Sequence, residues 1–153
     1  MASERFMKET AAAEAGARLY QRAGALRTSI LAGIIYDWAV AALILASPAP
    51  VLALLRIPPP PVPFHFQFAA LPLVILPFFY RLAWRDPVRN SGIVGAMVIA
   101  RLAGFAYLAL YGGVRGEPAA FLAFGVVDLA FALAHLALAR RAGFSRRELF
   151  SLA

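Results

Sequence analysis

The sequence predicts an all-α fold, an integral membrane four-helix bundle with flanking amphipathic helices. Three observations predict it. Hydrophobic residues make up 62% of the 153-residue chain and charged residues only 15%, against roughly 45–50% and 25% in soluble domains. Four apolar runs reach the roughly 20 residues a helix needs to cross a bilayer. The charges collect at the ends of those runs. A soluble domain this small has too much surface for its volume to hide so much apolar area, so lipid is the solvent that fits.

Residues 1–27 are polar, Ala-rich and basic, with Arg5, Lys8, Arg18, Arg22 and Arg27. Ala, Glu, Arg and Gln favour helix, and Leu19, Ala23, Leu26 and Ile30 recur at helical spacing. The expectation is an amphipathic helix on the membrane surface that runs into the first span, with a solvated tail before Ala17 as the alternative. Span one, 28–46, is about 28 Å of helix, and Pro48 and Pro50 stop it. It does not read as a signal peptide: the basic region before it is too long, and Asp37 sits mid-run.

Residues 47–63 form the longest loop. The apolar stretch 51–57 reads as interfacial, and the prolines from Pro58 to Pro63 as an extended polyproline-like segment. That segment is a stiff spacer or a docking motif. Span two, 64–84, contains Pro72 and Pro77, each expected to kink it. Asp86-Pro87 then offers a cap and a first helical position for span three, 93–112. Glu117-Pro118 repeats that start for span four, 118–139. Short turns make spans two, three and four antiparallel neighbours. In the tail, 140–153, Ser145 and Glu148 have capping-box spacing, flanked by the staple pair Phe144 and Leu149. A short amphipathic helix over 145–152 follows.

Lys and Arg are retained on the cytoplasmic side during insertion. Twelve lie in the arm, the second-to-third turn with Arg81 just inside the end of span two, and the tail, while Arg56 and Arg115 alone lie in the other connections. Both termini are therefore expected in the cytoplasm. Tyr80 and Trp84 at one boundary, and Tyr107 and Tyr111 at the other, fit aromatic belts.

Asp37, Arg101 and Asp128 fall in the middle of spans one, three and four. Each costs roughly 2.5–3.5 kcal/mol there if unpaired, so they are expected to meet inside the bundle. Small residues let helices approach. Gly33, Asp37 and Ala41 form such a stripe on span one, and Ala96, Ala100 and Gly104 on span three. Asp128, Ala132 and His135 share a face of span four, with His135 toward the cytoplasm. The group reads as a polar ligand site or proton path opening through His135, or as an ion-pair network that only fixes helix register. One arginine between two aspartates leaves a surplus negative charge.

Other chemistries find little support. The absence of cysteine removes thiol, disulfide and iron–sulfur chemistry. His65 and His135 are expected on opposite sides of the membrane, so no metal or cofactor is expected. The net charge of +7 sits at span ends without an aromatic-interleaved basic face, which argues against nucleic acid. Whether the chain is an enzyme stays open, with no catalytic constellation in view.

Arg101 in span three, the turn Gly116-Glu117-Pro118 and Asp128 in span four resemble the DoxX-like small bacterial membrane proteins, as do Tyr36-Asp37 and the run from Asp86 to Asn90. The resemblance covers about residues 28–140. It implies a four-helix protein of the bacterial inner membrane, and some such proteins are linked to quinone-coupled sulfur oxidation or membrane redox complexes. A second resemblance, in architecture alone, is to four-helix sterol and lipid handlers of the sigma-2 and sterol isomerase kind. Two function classes follow. The first is a non-enzymatic accessory or interaction subunit, with a membrane protein or a second copy of the chain as partner. The second is a binder or enzyme acting on an apolar small molecule such as a quinone, sterol or lipid. An internal cavity touching the midplane charges favours the second class.

Overall fold

The computed structural model describes residues 2–46, 48–115 and 118–151. Those residues form helices α1 (Ala2–Arg22), α2 (Gly24–Ala46), α3 (Pro48–Leu54), α4 (Pro63–Phe68), α5 (Leu71–Arg85), α6 (Ser91–Ala109), α7 (Ala119–Ala142) and α8 (Arg146–Phe150). No strand occurs among them. Four stretches are long and apolar enough to cross a membrane: Gly24–Ala46, Phe64–Arg85, Ser91–Val114 and Ala119–Ala142. The chain is an all-α, multi-pass membrane protein.

The arm is helical along all of α1, and a single turn at Ala23 joins it to α2. Span one starts four residues earlier than the hydropathy pattern implies. Ala23 and Leu26 are fully buried, so these residues are held by packing rather than by lipid. The Arg27 guanidinium lies over the rings of Tyr20 and Trp84, at 5.1 and 6.0 Å, and its Nε donates to the Trp84 carbonyl at 2.9 Å. Those contacts lock the arm to the end of span two.

Span two is interrupted beside Pro72, where the proline forfeits the hydrogen bond to Phe68 that a continuous helix would make, and the disruption is a full break rather than a kink. The helix breaks upstream, at Ala69 and Ala70, and Pro72 stands in the first turn of α5, where its missing N–H would have no intrahelical partner. Pro77 does lie inside α5 and is fully buried. Asp86-Pro87 likewise caps a single turn rather than span three itself. Asp86 Oδ1 accepts from the Arg89 N–H, and α6 begins only at Ser91. Span three continues past 112 through a π-helical turn, Leu110–Val114. The 47–63 loop contains α3, closed by Arg56 in the left-handed region at φ 55°. The Gly116-Glu117 part of the following turn lies outside the described residues.

The end of the bundle where α1 meets α2 and α8 follows α7 is basic and tightly packed. Leu26, Ile30, Tyr80, Ala83, Val94, Met97, Ala139, Phe144 and Leu149 close into one cluster. Tyr80 is 4% exposed, so it belongs to this core and not to an interfacial belt. At the far end Tyr107 and Tyr111 pair at 4.6 Å, and Arg115 lies 5.1 Å over the Tyr111 ring.

The tail docks under the basic end. The Ser145 Oγ accepts from the Glu148 N–H and the Glu148 carboxylate accepts from the Ser145 N–H, a complete capping box. The helix is shorter than expected, ending at Phe150, with Ser151 extended. Leu152 lies outside the described residues. Hydrogen bonds from the Ser145 hydroxyl and backbone hold the Glu148 carboxyl below the usual carboxylate range. The sign follows from that depression: the contribution is complete above the unfolded carboxylate pKa of about 4.3. It is lost as pH falls through the folded value. Protection of the amides at 146–150, taken relative to their intrinsic exchange rate at each pH, should therefore fall on acidification below about pH 4. Ser145→Ala should lower it at neutral pH by roughly five- to tenfold, for a cap worth about 1 kcal/mol.

Candidate functional site

The midplane charges meet. Arg101 on α6 donates from Nη2 to both Asp37 oxygens, at 2.6 Å each, and from Nη1 to Asp128 Oδ1 at 2.5 Å. Depth along three separate helices places them at one level, and the planar guanidinium presents a fork that serves two carboxylates at once. Asp37 and Arg101 are buried, at 2% and 6% exposure. The Asp128 side chain keeps 18% of its surface accessible.

Close helix approach makes this geometry. Gly33, Asp37 and Ala41 form the buried face of α2. A Cβ on Gly33 would sit 3.7 Å from Arg101 Nη2 and from the His135 ring. On α6 the small stripe is only partly where the sequence put it. Gly104 faces Asp128, and a Cβ there would stand 2.6 Å from Oδ2. Ala96 and Ala100 are exposed, and the packing face is Val94, Gly95, Met97, Val98 and Arg101. In lipid both faces of a helix are apolar, so spacing of small residues marks a close approach without saying to what.

His135 is fully buried on α7, below the charges. Its ring makes no hydrogen bond, although the Ser29 backbone lies beside it. It joins neither the Arg101 network nor an opening. The expected path toward the basic end is instead filled by the packed cluster around Leu26, Met97 and Ala139. Two site residues escaped the sequence reading. The Phe131 and Tyr36 rings flank Arg101, at 5.1 and 5.8 Å from the guanidinium carbon. Their signal was present: Tyr36 adjoins Asp37, and Phe131 lies between Asp128 and His135 at i+3 and i−4.

Above the charges the helices of the far half of the bundle spread around a half-enclosed space. A cavity of about 620 Å³ is floored by Arg101, Asp128 and Tyr36. Its walls come from all four spans and from α3, with Val40, Leu73 and Leu108 among the aliphatic contributors. Phe121 and Phe124 line it from α7, on the same face as Asp128. The size suits a drug-sized or lipid-sized molecule, and an apolar cavity with a few convergent polar groups is the usual form of such a site. No protein-family model, curated protein or solved structure matches the chain. Among the described residues no group of three His, Cys, Asp or Glu could hold a metal ion.

Proposed function

We propose that this protein binds an apolar small molecule within the bilayer, its polar end at Arg101 and Asp128 and its body in the hollow half of the bundle. The observation that carries this reading is the cavity: it is continuous with the partly accessible Asp128 carboxylate, and beyond its floor of Arg101, Asp128 and Tyr36 it is apolar. A network serving only helix register has no use for a hollow beside it, since an unfilled apolar space forfeits packing contacts. Quinones, sterols and lipids are the candidate classes, and non-catalytic binding fits best, because the acids at the floor are engaged by Arg101 and none of the described residues sets a nucleophile beside a base there.

The test is cavity filling. Leu73→Trp places bulk in the chamber without touching the charges. Wild-type protein purified in mild detergent should retain a membrane-derived small molecule, visible by native mass spectrometry of the intact chain. The variant should lose it while keeping its thermal stability. Equal retention by both, or none by the wild type from any membrane extract, would refute the binding role.

The accessory-subunit reading keeps one observation in its favour. Gly92, Ala96, Ala100 and Ala103 form an exposed small-residue row on α6, of the kind along which membrane helices pack against a partner or a second copy. Residence in a bacterial inner membrane, with DoxX-like relatives, is part of the same proposal and rests on the residues quoted above. The charge split supports a cytoplasmic position for both termini. A cysteine in place of Ser145 should then react only with a permeant thiol reagent in intact cells, and one in place of Val62 with an impermeant reagent. The reverse labelling would invert the orientation.

A further inference from the structure

We infer that residues 48–57, helix α3 and the turn that closes it, form a lid over the far end of the chamber and swing aside as one piece to admit the ligand. This inference rests on the chamber being a binding site and names the way in.

Position argues first. The chamber starts at its charged floor and rises about 10 Å, the length of the seven helical steps from Arg101 to Leu108. Its walls reach Ile44 on α2, Leu108 on α6 and Phe121 on α7, each at most two residues from the far end of its helix. Beyond those ends the lining continues as Pro50, Val51, Leu55 and Ile57. In the opposite direction the packed cluster around Leu26, Met97 and Ala139 shuts the bundle beneath the charges. A molecule approaching from water therefore meets the chamber on the α3 side.

Attachment argues second. Helix α3 rests mainly on α2, and Leu52 is its buried anchor. Among the described residues no backbone hydrogen bond ties 50–57 to spans two, three or four. Pro58 to Pro61, which follow, have no N–H to donate. Apolar contact is what holds the segment down, and in lipid such contact is exchanged for acyl chains at little cost.

Internal build argues third. The Ile57 N–H donates to the Leu52 carbonyl at 2.9 Å and the Arg56 N–H to the Ala53 carbonyl at 3.1 Å, with Arg56 in the left-handed region. This is the Schellman closure of a helix, and Leu52 and Ile57 occupy the two positions where apolar side chains usually meet across it. A helix of seven residues is marginal by itself. The closure gives it a fixed shape, so it moves whole. The prolines extend from it as a stiff arm, which puts the pivot at the bend at residues 61 and 62.

The chain has no cysteine, so a single thiol reports its own position. Leu108→Cys puts one on the chamber wall, and Ala53→Cys puts one on the exposed side of α3. Each full-length variant in nanodiscs is treated with sulfonatoethyl methanethiosulfonate, a charged reagent that arrives from water. The thiol at position 108 should react about a hundredfold more slowly than the one at 53, as expected of a minor open state. Adding Leu52→Ala, which cuts the anchor, should speed it at least about tenfold with the span amides still protected. Adding Arg56→Gly, which favours the closed turn, should leave the rate unchanged, because a lid that moves whole keeps that turn in both positions. Equal rates at 108 and 53, or no effect of Leu52→Ala, would overturn the lid. Slowing by about fivefold or more in Arg56→Gly would show the turn unravelling and overturn the single-piece motion. The underlying reading is tested apart from this, by retention of a membrane-derived molecule in the wild type. Retention without gating removes the lid alone, and gating without retention removes the ligand and with it the lid's purpose.

Discussion

Arg101→Ala should destabilise the fold by roughly 3–5 kcal/mol, the usual effect of leaving buried charges without their partner. Two carboxylates would then face each other across the space the guanidinium filled. Arg115→Ala, at an exposed position over the Tyr111 ring, should lose less than about 1 kcal/mol. The measurement is unfolding in mixed micelles, or abundance in the host membrane. A variant with Arg101→Met, Asp37→Leu and Asp128→Leu together removes the charges as a set. It should recover much of the loss, because well-packed apolar residues replace buried ion networks without penalty in many cases. Ligand retention should not recover with it. That split separates the network's part in stability from its part in binding. A triple variant no more stable than Arg101→Ala would show that the lost charges are not what the arginine compensates.

Gly95→Ala should detach the tail. A Cβ on Gly95 would overlap the Leu149 carbonyl, and a backbone carbonyl cannot swing aside as a flexible side chain can. Phe144 and Leu149, at 5% and 3% exposure, would lose their seat, Leu149 lying directly against α6. Burying a side chain of that size is worth roughly 1.5–3 kcal/mol. Amides over 146–150 should exchange at least about a hundredfold faster, with the four spans still protected. Unchanged protection in a folded Gly95→Ala protein would show that α8 is held elsewhere.

The sequence made some of this legible and hid the rest, for physical reasons. Asp37, Arg101 and Asp128 stood out because an ionised group at mid-span has few tolerable environments, so depth alone predicts their meeting. The Ser145–Glu148 box stood out because a cap is local chemistry. Ala96 and Ala100 misled because a helix in lipid is apolar on both sides and periodicity no longer separates core from solvent. Pro72 was legible as a disruption but not as a full break: proline begins a helix as readily as it bends one, and the interruption at Ala69 and Ala70 puts it in the first turn of α5. The cavity was invisible: it is a property of how four helices splay beyond Arg101, and no local pattern records an absence of atoms. His135 read as a gate because polarity in a membrane suggests water, yet its neighbours Gly33 and Phe131 enclose it.

The two partners of Arg101 have different histories during synthesis. Asp128 follows it by 27 residues on the adjacent helix, whereas Asp37 precedes it by 64. At about 5–20 residues per second, Asp128 emerges from the ribosome within a few seconds of Arg101. The α6–α7 hairpin can thus leave the translocon with opposite charges already joined, as one neutral unit. Asp37 has no such companion when α2 enters the lipid. Its carboxyl group waits there in a helix whose other central residues are apolar, and the arriving hairpin recruits it last. Assembly of the bundle is in this sense the capture of a solitary acid by a preformed pair. Separating α6 from α7 by a long inserted linker would endanger biogenesis even where the finished site could still be built.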